Sequence, residues 1–165
     1  MIIYKDVFTG DEIVSDCYPI QSYNSAVLEI EGKMALECSD LIDPTQGLGS
    51  PTDQYQETVL HVINLVASFN LQETPFDKKG FITFIKDYIA RLQQYLEQYN
   101  PERVLSFLKD SQEAARDIIS RFDEFVFFTG ESADPRGGLV MMYYKNDGIV
   151  PFFLCFADGL QAIKI

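Results

Sequence analysis

Apolar residues recur along this chain with two different periods, and the period changes near residue 77 and again near residue 122. In the middle stretch Phe81, Ile85, Tyr88, Leu92, Tyr95 and Tyr99 follow one another at steps of three and four, which lays one stripe along a helix of about six turns. Ile82, Ile89 and Leu96 widen the stripe, and Asp77 stands where an N-cap belongs. Asn100-Pro101-Glu102 then supplies a cap residue, a proline whose missing N–H costs nothing in a first turn, and a carboxylate near the positive end of a helix dipole. A second helix follows, with Val104, Leu108, Ala115, Ile118 and Phe122 on one face and Arg103, Lys109, Glu113, Arg116 and Asp117 on the rest. The short connection predicts an antiparallel helical hairpin over residues 77–121.

On either side the pattern is that of strands. In Val27-Leu28-Glu29-Ile30-Glu31 the alternation sets Leu28 and Ile30 on one face and the two glutamates on the other, as in an antiparallel strand with one solvated face. Gly32-Lys33 marks a turn after it. Phe125 to Thr129, Leu139 to Lys145 and Val150 to Phe156 are β-branched or aromatic runs, the last two joined by the hairpin signal Asn146-Asp147-Gly148. Val59 to Phe69 suits either a buried helix or a strand; its β-branched content and the lack of a clear cap favour strand. Ser39 to Gln56 holds Asp43-Pro44, Gly47, Gly49 and Ser50-Pro51 among few apolar residues, the composition of a mobile, acidic loop. The expected architecture is α+β: an antiparallel sheet with a helical hairpin inserted before its last strands.

The chain has 165 residues and 18.8 kDa, which suits one domain over residues 1–165, built as a sheet segment 1–76, the hairpin 77–121 and closing strands 122–165. A net charge of −12 and a pI near 4.3 argue against nucleic acid or an anionic membrane as a partner. The charge is uneven: the three segments carry −10, +1 and −3, and eight of the thirteen cationic side chains lie in the hairpin. No apolar run approaches the roughly 20 residues of a bilayer crossing, and the opening residues reach charge too soon for a signal peptide, so a cytoplasmic protein is expected. Cys17, Cys38 and Cys155 are scattered and odd in number, which fits reduced, packed thiols and no zinc site.

Catalytic signals are weak. The single histidine, His61, sits in an apolar run with no partnering serine or cysteine motif, and there is no G-x-G-x-x-G, Walker loop or H-E-x-x-H. Gly137-Gly138 precedes a strand and marks a turn rather than a phosphate cradle. Asp6, Asp11, Glu12 and Asp16 cluster around Thr9-Gly10, where hard oxygen ligands could hold a Ca²⁺ ion loosely, although no EF-hand spacing exists. The same residues serve as a solubilising acidic loop, or Asp11-Glu12 meets an arginine or lysine of a partner protein.

The opening Met1-Ile2-Ile3-Tyr4-Lys5-Asp6, Asp11-Glu12, Ser15-Asp16 and Glu29-Ile30-Glu31-Gly32-Lys33 closely resemble the translationally controlled tumour protein family, also called histamine-releasing factor. Leu71-Gln72-Glu73-Thr74, Tyr88-Ile89, Pro101-Glu102-Arg103-Val104, Phe127-Phe128-Thr129-Gly130-Glu131 and Phe156-Ala157-Asp158-Gly159-Leu160 continue the resemblance in register along the whole chain. The resemblance implies a tent-like β-sheet with a protruding helical hairpin, similar to accessory proteins that release nucleotide from Rab GTPases. It implies a cytoplasmic, non-enzymatic protein without a required cofactor, binding Ca²⁺, tubulin and microtubules, anti-apoptotic proteins and Ras-family small GTPases, with guanine nucleotide exchange, in cell growth control. The family's GTPase-contact carboxylate maps onto Glu12, beside Asp11. Its tubulin-associated segment maps onto the hairpin, where Lys78, Lys79, Lys86 and Arg91 could meet acidic tubulin. The rival expectation is a chaperone-like or anti-apoptotic client-binding protein with no specific GTPase or Ca²⁺ role. The glycine- and glutamate-rich loop signature should lie near Leu48-Gly49-Ser50-Pro51-Thr52, where the sequence is shorter and keeps little of it. Lys164-Ile165 stands where many members end in cysteine, so a monomer without a terminal-cysteine dimer is expected.

Overall fold

The structure, a computed structural model, describes residues 1–38, 59–145 and 148–165. In chain order the strands are β1 (Ile2–Asp6), β2 (Glu12–Ser15), β3 (Ile20–Asn24), β4 (Val27–Glu31), β5 (Met34–Cys38), β6 (Val59–Ile63), β7 (Gln72–Glu73), β8 (Val126–Thr129), β9 (Val140–Lys145), β10 (Val150–Phe156) and β11 (Leu160–Lys164). The helices are α1 (Asn64–Phe69), α2 (Lys78–Tyr99) and α3 (Val104–Ser120). All strand pairs are antiparallel, in a six-stranded sheet ordered β3-β4-β10-β9-β8-β7, a three-stranded sheet β11-β1-β2 and a ribbon β5-β6. The fold is α+β, and α2 and α3 form the hairpin expected from the 3.6-residue period. The expected loop Ser39–Gln56 lies outside the described residues.

The large sheet is covered on both faces. On one, Val27, Phe127, Met141, Tyr143, Leu154 and Phe156 pack against Phe81, Ile85, Tyr88, Leu92, Phe107 and Ile118 of the hairpin. On the other, Ile30, Phe128, Val140, Met142, Phe153 and Cys155 pack against Ile13 and Val14 of the small sheet and Leu65 of α1. Two-sided cover explains why β9 and β10 are nearly continuous apolar runs rather than alternating ones. It also corrects the solvated face expected for β4: Glu29 is 4% exposed. The Glu29 carboxylate accepts hydrogen bonds from Tyr143 Oη, from Lys145 Nζ at 2.7 Å and from Gln21 Nε2 at 2.6 Å, while Glu31 stays exposed.

Asp77 caps α2 as expected, its Oδ1 accepting from the Gly80 amide at 2.7 Å. The connection differs in detail: Asn100 makes no side-chain cap, and Pro101–Arg103 form one 3₁₀ turn before α3. The buried face of α3 is Phe107, Ser111, Ala114, Ala115 and Ile118, with the predicted Val104, Leu108 and Phe122 only half-buried at its margin. Small residues at the centre of the stripe let α3 approach its neighbours closely, a feature a large-hydrophobe pattern overlooks. Nor does the hairpin protrude. Arg103, at its turn, forms a two-bond ion pair with Asp158 at 3.0 Å for each bond and donates to the Ser25 carbonyl at 2.7 Å, fastening the far end to the sheet.

The strand expectation for Val59–Phe69 holds for Val59–Ile63 and fails for Asn64–Phe69, which is helical. Asn64 Oδ1 accepts from the amides of Leu65 at 2.7 Å and Lys33 at 2.9 Å, Leu65 is fully buried, and Asn70 ends the helix in the left-handed conformation at φ 52°. Tertiary packing around Leu65 overrides the β-branched preference. Of the cysteines, Cys155 is buried as expected, whereas Cys17 is exposed, its Sγ lying 3.4 Å from Met1 Sδ.

Candidate functional site

The acid-rich turn between β1 and β2 meets the loop from Gly130 to Gly138 and the middle of α2. Asp6, 5% exposed, accepts at Oδ1 from the amides of Phe8 at 2.7 Å and Thr9 at 3.3 Å, and at Oδ2 from the Gly138 amide at 2.7 Å. Its own backbone closes the turn, with the Asp6 amide donating to the Asp11 carbonyl and the Gly10 amide to the Asp6 carbonyl, both at 2.8 Å. Gly10, at φ 78°, supplies the left-handed residue the turn requires. Asp11 Oδ2 accepts from Ser132 Oγ at 2.6 Å. A Cβ on Gly130 would lie 2.5 Å from that same carboxylate oxygen, so only glycine allows the approach. Burial pushes the Asp6 carboxyl above its ordinary range, against the lowering effect of the Gly138, Phe8 and Thr9 amides.

The third element is α2. Arg91 pairs with Asp87 at 2.9 Å, donates to the Arg136 carbonyl at 2.5 Å, and places its guanidinium carbon 5.0 Å from the Phe8 ring centre and 5.5 Å from that of Tyr88. Asp134, held down to about 2 by its fork to Arg136, stiffens the same loop from the solvent side. Glu12 follows this braced turn as the first residue of β2, opposite Lys5 and just past a register shift, with its side chain exposed.

The four acids expected to bind Ca²⁺ are therefore not brought together as ligands. Asp6 and Asp11 are committed to amide and hydroxyl donors, Asp16 accepts from the Ile2 amide at 3.0 Å, and Glu12 faces solvent. Among the described residues no three histidine, cysteine or carboxylate side chains are placed to hold a metal ion. The cationic set divides likewise. Lys78, Lys79 and Lys86 are exposed and form no ion pair among the described residues, whereas Arg91 is held inward as an anchor. His61 falls in β6, opposite Leu36.

Sequence reasoning missed the anchors. Ser132, Gly138, Arg103 and Asp158 carry no signal of their own; each acquires its role from a partner more than fifty residues away. Only the density of acids around Gly10 and the pair Gly137-Gly138 hinted at two tight turns facing each other.

Residues 1–161 match the family described as "Translationally controlled tumour protein". A Saccharomyces cerevisiae protein named "Translationally-controlled tumor protein homolog" is 39% identical over 169 residues, covering all of both chains. The Mus musculus "Translationally-controlled tumor protein" is 35% identical, covering 99% of each. A solved structure, the "Translationally Controlled Tumor-associated Protein p23fyp from Schizosaccharomyces pombe", superposes with a TM-score of 0.85 at 36% identity over the whole of both chains. The chain belongs to the translationally controlled tumour protein family.

Proposed function

We propose that this is a non-enzymatic, cytoplasmic docking protein of growth and survival control, and that Glu12 on its braced turn contacts a Ras-family small GTPase. The observation that carries the reading is the division of labour among the acids: Asp6 and Asp11 lock the turn from within and leave Glu12 outward on a rigid support. A carboxylate carried on backbone already fixed in place leaves only its own side-chain rotamers to be ordered when it meets a partner's arginine or lysine. The absence of catalytic motifs in the sequence supports the non-enzymatic part, as does the Cys155 thiol, which burial pushes up to about 12 and so keeps protonated.

A second surface is favoured by a separate observation. The exposed Lys78, Lys79 and Lys86 give one flank of α2 a positive field on an otherwise acidic protein, suited to acidic tubulin. One set of measurements separates the two surfaces. Glu12→Ala should weaken GTPase binding about tenfold in titration calorimetry and leave the melting temperature unchanged. The double charge reversal Lys78→Glu, Lys79→Glu should weaken microtubule co-sedimentation and spare GTPase binding. GTPase affinity unaltered by Glu12→Ala rejects the reading.

A further inference from the structure

The large sheet ends on one side at β3, and no described strand pairs with the outer edge of β3. The register shows which groups that edge offers. Glu31 donates its amide to the Pro19 carbonyl at 2.9 Å, and Ile20 pairs with Ile30, Gln21 with Glu29 and Ser22 with Leu28. Hydrogen-bonded pairs alternate along an antiparallel ladder, so Pro19 and Gln21 bond to β4 while Ile20 and Ser22 turn their N–H and C=O groups outward. Neither residue's backbone makes another hydrogen bond among the described residues.

Native sheets usually guard such an edge with lysine or proline. The edge of β11 follows that rule with Lys164, but Ile20–Asn24 carries no positive charge and no proline, and Pro19 just ahead of it turns toward β4; a register shift past Ser22 is the irregularity of the strand. Its surroundings are acidic instead. Beside it lies a depression of about 200 Å³ lined by Pro19, Ile20, Gln21, Glu29, Glu31 and Phe152. Lys145 neutralises Glu29 at 2.7 Å, and Glu31, exposed on the same face, forms no ion pair among the described residues. The opposite face of β3 offers the half-buried side chain of Ile20.

We propose that the outer edge of β3 docks an extended segment of a partner protein that bears arginine or lysine at alternate positions. The segment adds as a further antiparallel or parallel strand, exchanging hydrogen bonds with Ile20 and Ser22. Its basic side chain meets Glu31, and its intervening apolar side chains lie along Ile20. A second copy of this chain is a poor occupant, because a molecule of net charge −12 would bring its own Glu31 to the same place. This surface is separate from Glu12 and from the lysines of α2.

The test uses the full ¹⁵N-labelled chain and a capped heptapeptide in which arginine and valine alternate. Its titration should shift the amides of Ile20 and Ser22 first and slow their exchange with solvent. Glu31→Gln should weaken binding about tenfold, and added salt should act likewise. Methylating the peptide amides that face β3 should abolish binding; this control uses the wild-type protein, so it stands whatever a variant does to folding. Ser22→Pro, which removes an outward donor and leaves the β4 ladder bonds in place, should also abolish it. Equal binding of a glutamate-for-arginine peptide or of the methylated peptide overturns the proposal. So does protection of Ile20 and Ser22 that grows with protein concentration alone, which would mark a second copy on the edge.

Discussion

Asp6 and Glu29 are both carboxylates shut away from water, yet their titrations move in opposite directions. Burial pushes Asp6 upward, and the neutral amides of Gly138, Phe8 and Thr9 only partly offset it, with Asp11 adding a like charge nearby. Burial pushes Glu29 upward as well, but Lys145, Tyr143 and Gln21 outweigh it and hold the group below its ordinary value. The difference lies in the donors. A backbone amide brings a partial charge fixed by the chain, whereas a lysine brings a full charge at 2.7 Å. Asp6 is therefore a device for shaping two loops at some electrostatic cost, and Glu29 is one half of a neutralised pair that ties β4 to β9.

Removing each carboxylate sharpens that contrast. Asp6→Ala leaves three amides without an acceptor, one of them on a loop 132 residues away, and should cost about 3 kcal/mol in denaturant unfolding. Glu29→Gln should cost less, about 1–2 kcal/mol in the same measurement, because glutamine keeps the shape and the freed Lys145, already 39% exposed at its side chain, can turn to water. A larger loss for Glu29→Gln than for Asp6→Ala would break the comparison.

The smallest effect is in pH, and its sign differs between the two sites. A carboxylate with a raised folded pKa binds its proton more tightly when folded. Asp6 thus adds stability as pH falls through the window between its raised folded value and its ordinary value near 3.8. Glu29 does the reverse: its contribution is complete above its ordinary value near 4.5 and is lost as pH falls through the lowered folded one. Between pH 5 and 3, Asp6→Asn should therefore steepen the acid loss of stability and Glu29→Gln should flatten it, read as midpoint denaturant concentration against pH.

The helical hairpin was legible because its stripe runs for many residues at one period and Asp77 and Pro101 punctuate it. The strands β4, β8, β9 and β10 were legible from apolar runs and a turn signal. What escaped was decided by partners distant in sequence. Glu29 looks solvated in its own strand and is buried where Tyr143 and Lys145 of β9 and Gln21 of β3 close on its carboxylate; Asn64–Phe69 looks extended until Leu65 finds its pocket. At the candidate site the sequence supplied the carboxylates but not their duties. The hydrogen-bond donors that separate Asp6 and Asp11 from Glu12 come from Gly138 and Ser132.

The hairpin sorts its cations by type. Arg91, Arg103 and Arg121 turn toward carboxylates and rings of their own molecule, while Lys78, Lys79, Lys86 and Lys109 face outward, Arg116 alone among the arginines joining them. Acetylation acts on lysine and leaves the guanidinium untouched. The lysine share of this arm's outer charge is accordingly open to neutralisation residue by residue, while the arginine clamps that seat the arm stay closed.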